Sequence, residues 1–323
     1  MRNMKKYDAA ALGELLIDFT ENGISGQGNR LMEANPGGAP CNVLAMLAKL
    51  GKETAFLGMV GQDSFGTLLR EVLQEAGIET KGLKVSEDRN TTLAFVHTKP
   101  DGDREFSFYR SPGADMMLSE KDLDMEILEN CKIFHFGSLS MTHENCRAAT
   151  RKAIETAEKS GALLSFDPNL REPLWGDLEE AKRQIAYGME HCHVLKISDN
   201  ELQWFTGERD FDKGIAALQE RFHIPLMLLS AGRDGSIAYG NGVKAEVPAF
   251  LGQNAIETTG AGDTFCGCVL HYILENGWKD YTQSELEDML RFANAAASVI
   301  VTRKGALRVM PERAEILQVM KGK

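Results

Sequence analysis

No stretch of this 323-residue chain stays apolar for the ~20 residues a helix needs to cross a bilayer, so no membrane-spanning helix is expected. Basic residues are in short supply. Lys and Arg number 36 against 47 Asp and Glu, and the net charge of -11 repels nucleic acid backbones and anionic membranes alike. Small molecules are the expected partners, and an anionic one would need local Arg or Lys to offset the overall field. The cysteines at 41, 131, 146, 192, 266 and 268 include no Cys-x-x-Cys pair, and a chain this long does not depend on staples, so they read as reduced and mostly buried thiols. His191-Cys192-His193 is structural, because three consecutive side chains on one strand or helix cannot face one ion. Repeats and low-complexity tracts are also missing. Lys5 and Lys6 precede an apolar stretch, but Asp8 and Glu14 interrupt it and no cleavage pattern follows, which makes the cytoplasm the expected compartment.

What is present is organised around Glu257-Thr258-Thr259-Gly260-Ala261-Gly262-Asp263-Thr264-Phe265. Glycines let a ligand approach the backbone, and Phe265, Val269, Tyr272 and Ile273 have helical spacing, so this is a loop feeding a helix N-terminus. The amides of Gly260, Ala261 and Gly262, with the helix dipole behind them, favour an anion such as a phosphate. Asp263 would stand where that phosphate arrives, able to take a proton from an attacking hydroxyl. A plain helix N-cap is the competing account of Asp263.

Elsewhere the chain alternates short apolar runs with helical periodicity, the signature of an α/β fold. Residues 9–17 suit a buried strand with Asp18 at or just beyond its end, where ligands of open α/β sheets bind. Residues 21–28 are polar and glycine-rich and read as a loop or hairpin. In Asn35-Pro36-Gly37-Gly38-Ala39-Pro40-Cys41-Asn42 two glycines again precede a helix, and Asn42 in its first turn can exchange hydrogen bonds with a sugar hydroxyl or merely help cap the helix. A strand at 54–60 turns through Gly58 to Gly66 into a helix ending near Ala76, with Gly77 as C-cap. Residues 91–98 and 104–109 alternate around Pro100-Asp101-Gly102-Asp103, a hairpin inserted among βα units that would cover a site, with Arg110 at its end. Strands are expected at 132–139, 163–166, 194–197 and 226–230, and helices at 144–160, 179–191 and 201–206. Asp167-Pro168-Asn169-Leu170-Arg171 collects polar groups at a strand end. Antiparallel strands at 237–239 and 243–247 follow the glycine-rich Ala231-Gly232-Arg233-Asp234-Gly235, where a nucleotide or a plain hairpin turn fits equally. The small residues in the helix at 286–301 allow tight packing or leave room for a flat ring.

Assembled, these residues resemble the PfkB, ribokinase-like sugar kinases over nearly the whole chain. Gly37-Gly38 to Asn42 followed by Gly58 to Gly66 looks like the family's first signature, and Thr258 to Gly267 like its second. The resemblance implies one kinase domain over 1–323: a three-layer α/β/α core with a mostly parallel sheet, and a small β-sheet lid formed discontinuously by about 16–34 and 90–111. It implies ATP as phosphoryl donor, Mg²⁺ with the nucleotide, and K⁺ as monovalent cation. By the same resemblance Asp263 is the base and residues 260–262 form the anion hole. Asp18, Gly37, Gly38 and Asn42 then bind sugar, joined by Arg110 and Arg171. Lys196, Glu201, Ser230, Gly232, Gly235 and Asn294 serve the nucleotide. Glu257 and Thr259 would hold the cation with the backbone of Ile300, Arg303 and Gly305. A homodimer through the lid is the expected assembly.

Three positions depart from the family pattern. Glu257 stands where Asp is usual, Ser198 replaces the Asn of an Asn-x-x-Glu motif that ends at Glu201, and Val309 stands where Ser is frequent. Within the family, residues 108–115 with 167–171 look most like fructokinases; the alternative is a 2-keto-3-deoxygluconate kinase, in which the two arginines would hold a carboxylate, or another ribokinase-like PfkB sugar kinase. The family's phosphofructokinases, whose phosphate an arginine pair could serve, are a poorer match. A non-catalytic sugar-binding or interaction subunit is the remaining reading, and the intact Gly-Ala-Gly-Asp argues against it.

Overall fold

Strands buried on both faces read as continuous apolar runs, and a computed structural model that describes residues 5–98, 104–251 and 255–322 lays such runs side by side. The turn expected at 100–103 lies outside the described residues. The first third contains β1 (Tyr7–Leu12), β2 (Leu16–Ile24), β3 (Arg30–Gly37), α1 (Ala39–Lys49), β4 (Thr54–Gly61), α2 (Ser64–Glu75), β5 (Ile78–Glu79), β6 (Leu83–Ser86), β7 (Leu93–Thr98) and β8 (Arg104–Tyr109). Next come α3 (Met125–Glu129), β9 (Cys131–Gly137), α4 (Glu144–Lys159), β10 (Leu163–Asp167), α5 (Leu178–His191), β11 (Val194–Ser198), α6 (Asp199–Thr206) and α7 (Phe211–Phe222). The last third adds β12 (Leu226–Ser230), β13 (Ser236–Gly240), β14 (Val243–Val247), α8 (Ala261–Asn276), α9 (Gln283–Ile300) and α10 (Arg313–Met320).

The main sheet has the order β14-β13-β12-β11-β10-β9-β1-β4, with β5 and β6 sharing the far edge of β4. Its strands run parallel except β13 and β14, which return as an antiparallel edge. Side-chain alternation builds the three layers. Ala9 and Ala11 of β1 face the layer of α1, α8 and α9, whereas Tyr7, Ala10 and Leu12 face that of α4, α5 and α7. Along β9 the partition continues, with Ile133 on the first side and Phe134 and Phe136 on the second. All six cysteines are buried free thiols. Among the described residues no helix is long and apolar enough to cross a membrane.

A second, four-stranded sheet has the order β3-β2-β7-β8, with β2 and β7 parallel and the outer pairs antiparallel. This corrects the expected first strand. The apolar run 9–17 is not one element: β1 ends at Leu12, residues 13–15 turn, and β2 starts afresh in the other sheet. Periodicity could not reveal the break, because Leu15, Leu16 and Ile17 are as buried beyond the turn as Leu12 is before it. Asp18 therefore lies inside β2, opposite Asn35 of β3, rather than at a strand end of the main sheet.

Candidate active site

The strand order reverses between β1 and its neighbours β4 and β9, and the carboxyl ends of an open α/β sheet at such a switch point leave a crevice. A cleft of about 520 Å³ opens there, roofed by the second sheet through Leu16, Asp18, Val96 and Phe108. Three helices bring their N-termini to its wall, α1, α6 and α8, of which α6 is capped by Ser198. Others, such as α2, α7 and α9, start with a capping side chain from Asp63, Asp210 and Thr282. The cap positions of α1 and α8 are Gly38 and Gly260, with no capping side chain. At Gly260, φ is 77° and a Cβ would come 2.7 Å from that of Ala306, so glycine is required on both counts.

Asp263 occupies the third position of α8, not its cap, which removes the N-cap account. Its Oδ2 accepts from Asn42 Nδ2 at 2.8 Å, while Asn42 Oδ1 is buried with no partner among the described residues. Turning the amide over would set oxygen against carboxylate, so this orientation follows from the pair itself. A buried acceptor without a donor is a place for a ligand hydroxyl. Burial pushes the Asp263 carboxyl above its ordinary pKa, opposed by the Asn42 hydrogen bond and by the charges of Lys196 and Arg171. That direction suits a group that must take up a proton. The amide expectation needs one amendment: Ala261 N–H turns to Thr258 O at 3.3 Å, which leaves the amides of Gly260 and Gly262, with that of Asp263 beside them, for an anion.

Positive charge at this point comes from Lys196. Its Nζ would be only 3.1 Å from a Cβ at Gly262 and is paired with Asp167 Oδ2 at 2.9 Å. Burial works against its charge, but the carboxylates of Asp167 and Glu201 outweigh it, and Lys196 stays protonated. Glu201 is held in turn: its Oε2 accepts from Ser198 N–H at 2.9 Å and its Oε1 from Leu170 N–H at 2.8 Å. Burial would raise its pKa, yet the Lys196 charge and these hydrogen bonds bring it below the ordinary value. Ser198 thus does work on its own account, as one half of a capping box with Glu201 that starts α6.

At the sugar end, Asp18, Gly38, Asn42 and Arg171 all line the cleft. Gly37 stands behind Asp18, whose Oδ2 occupies the space of a Cβ at 2.5 Å. Burial raises the Asp18 carboxyl to about 7, with Arg171 opposing and the charges of Glu257 and Asp263 adding. Arg110 is not brought in. Its guanidinium, 5% exposed, is spent on Asp115 Oδ2 at 2.8 Å, Thr142 Oγ1 at 2.8 Å and Leu139 O at 3.0 Å, fastening the end of β8 to the main body. A buried arginine needs such partners, and proximity in sequence to the hairpin gave no sign of them.

At the other end Ser230, Gly232, Gly235 and Asn294 line the same cleft. Asn294 is already engaged, accepting from Ser236 Oγ at 2.9 Å and donating to Val247 O at 3.0 Å, so it ties β13 and β14 to α9. Around Glu257 the structure joins two loops: Oε1 accepts from Thr259 Oγ1 at 2.6 Å and Oε2 from Gly305 N–H at 3.0 Å. The Ile300 carbonyl receives Arg303 N–H at 3.0 Å, and the Arg303 side chain reaches Val309 O and Glu315 instead. Asn169, in the polar strand-end segment 167–171, lines the cleft as that segment suggested, whereas Glu14 and Leu139, which also line it, were missed. Glu14 could have been found: a carboxylate inside an apolar run, one residue after a glycine, is a polar group in an unusual place.

A carboxylate held at an uncapped helix N-terminus, with a buried lysine over its glycines and a polar crevice before it, defines a phosphotransferase acting on an alcohol group. The model of the pfkB family carbohydrate kinases matches residues 7–313. Probable fructokinase-2 of Arabidopsis thaliana is 40% identical over 96% of this chain and 95% of its own. The fructokinase of Xylella fastidiosa, solved with bound ATP, superposes with a TM-score of 0.89 at 31% identity, covering 98% of this chain and 99% of that one. A double mutant of the Vibrio cholerae O395 fructokinase, solved with fructose, ADP and potassium ion, gives 0.85 at 28% identity over 97% and 99%. The chain belongs to the pfkB family of carbohydrate kinases and has the ribokinase-like fold.

A pH dependence follows from Asp18. As a carboxylate it can accept from a ligand hydroxyl, and with its pKa raised to about 7 that form is lost as pH falls through neutrality. Sugar KM is expected to rise on acidification, by up to about tenfold per pH unit below that point for one proton. A sugar KM unchanged between about pH 8 and 6 would contradict this role.

Proposed function

We propose that this protein is an ATP-dependent fructokinase, transferring the γ-phosphoryl group to D-fructose to give fructose 6-phosphate. The observation that carries the choice of sugar is the lone guanidinium in the cleft. Among the described residues of its lining Arg171 is the one arginine, Arg110 is locked to Asp115, Lys196 is already paired with Asp167, and the carboxyls of Glu14, Asp18 and Asp263 stand around the sugar end. Such a pocket accepts hydroxyls well and a sugar acid poorly, which weighs against 2-keto-3-deoxygluconate. The fructokinase relatives support the same choice.

In the reaction Asp263 takes the hydroxyl proton as the oxygen attacks in line, and Asn42 holds the carboxylate at the correct angle. Amides at the start of α8, with Lys196 beside them, offset the charge on the transferring group. Mg²⁺, when bound, neutralises phosphoryl oxygens; Glu201, ionised and facing the cleft, is the residue to hold it together with Asp199. The second sheet acts as a lid that excludes water. K⁺ would sit between the loops that Glu257 joins, near Thr259 and the backbone of Ile300, Arg303 and Gly305. The setting is cytoplasmic, in keeping with six unpaired thiols. Two chains pair through the lids, whose outer edge exposes Ile24 at 64% and Tyr109 at 67%.

Asp263→Asn keeps shape and loses basicity, so kcat should fall by roughly 10²- to 10⁴-fold, or about 3 to 5 kcal/mol of barrier, with both substrates still bound. Retention of more than about a tenth of wild-type kcat would sink the assignment, and no ADP release with any sugar would favour a non-catalytic role. At fixed ionic strength K⁺ should raise the rate over Na⁺; equal rates would remove the cation. Sedimentation should report twice the chain mass of 35.6 kDa, and a monomer at micromolar concentration would discard the lid interface.

A further inference from the structure

Glu14 is 4% exposed, lines the cleft and has no part in the chemistry above. Residues 13–15 form the turn between β1 and β2, and the guanidinium that feels the Glu14 charge, Arg110, is paired with Asp115 at 2.7 Å. What the carboxylate does is accept from Ala39 N–H, through Oε1, at 2.9 Å. Ala39 opens α1, whose cap residue Gly38 has φ 134° and nothing to cap with. Nor could a side chain stand there, since a Cβ on Gly38 would fall 2.3 Å from Glu14 O. Reciprocally, a Cβ on Gly13 would meet Pro40 Cγ at 2.5 Å. The two turns are seated on each other, and Glu14 supplies across the gap what an N-cap side chain supplies locally. Within the same helical turn Asn42 N–H bonds Gly38 O at 2.9 Å and its side chain reaches Asp263.

We propose that Glu14 is a positioning residue for phosphoryl transfer: by accepting from Ala39 N–H it fixes the first turn of α1, and with it the Asn42 amide that holds Asp263. The inference rests on Asp263 as base but not on the identity of the sugar. Burial pushes the Glu14 carboxyl up to about 7, only partly opposed by the backbone hydrogen bonds and the Arg110 charge; what Ala39 N–H needs is an acceptor oxygen at that reach, which makes glutamine the conservative replacement. Aspartate lacks one methylene and falls short of Ala39.

Comparing E14Q with E14D tests this. E14Q should keep kcat within about threefold, whereas E14D should lose roughly 10- to 100-fold in kcat with the KM for ATP little changed, as a misplacement of about 1 Å does. In crystals the Asn42–Asp263 contact should survive in E14Q and open in E14D. Both variants keeping that contact and kcat would overturn the proposal. So would an E14Q as impaired as E14D with a parallel rise in sugar KM, which makes Glu14 a sugar ligand instead. Should the wild type not turn over fructose, the proposed substrate fails, and the crystallographic comparison still decides the role of Glu14.

Discussion

The hydrogen bond from Asn42 to Asp263 joins residues 221 positions apart, and much of the molecule exists to let it form. It requires α1 and α8 to approach almost backbone to backbone. Gly267 makes room for that, because a Cβ there would lie 2.7 Å from Met46 Cβ and 3.0 Å from Val43 O. It also requires both helices to begin at the same height, which glycine caps allow and longer side chains would obstruct. A hydrogen bond to a charged group is worth about 1.5 to 3 kcal/mol, less than the packing that surrounds it. Its value lies in direction, since it leaves the other carboxylate oxygen to face the cleft.

Charge is arranged on two scales. The whole chain is acidic by 11 units, which repels the anionic substrate it must bind. Within the cleft, whose lining also carries several carboxyls, the positive groups are Lys196, Arg171 and the start of α8. Lys196 keeps its proton because Asp167 and Glu201 stand beside it, and Glu201 keeps its negative charge because Lys196 and two backbone amides stand beside it. Opposite charges in a low-dielectric setting fix each other, so neither adjusts when substrate arrives.

Much of this was legible in the sequence where local chemistry and spatial role coincide. The Thr258 to Phe265 string gave a loop and a helix start because glycine and helical spacing speak directly to backbone geometry. The βα rhythm, the inserted hairpin and the late antiparallel strands followed from periodicity in the same way. The helices at 211–222 and 313–320 are not among the expected elements: the second carries a weak apolar pattern, whereas the first is as amphipathic as the helix at 144–159 and was legible. Side-chain destinations were harder. Arg110 and Asn294 carry the right chemistry for a ligand, but each found protein partners that lie 5 to 58 positions away in sequence, and no local pattern marks such pairings. Glu14 was read only as an interruption of an apolar run. Its partner, Ala39, is visible only once two turns are stacked.

The cleft draws its walls from two sheets with separate hydrogen-bond ladders. The main sheet and its helices supply the strand ends, Lys196, Glu201 and Asp263, while the four-stranded sheet supplies Asp18, Val96 and Phe108. Substitutions in the second set alter one wall without disturbing a core strand or the first turn of α8. A lineage can therefore drift toward a new acceptor molecule while its phosphate-handling apparatus is inherited unchanged, and divergence in diet should be written first in β2, β7 and β8.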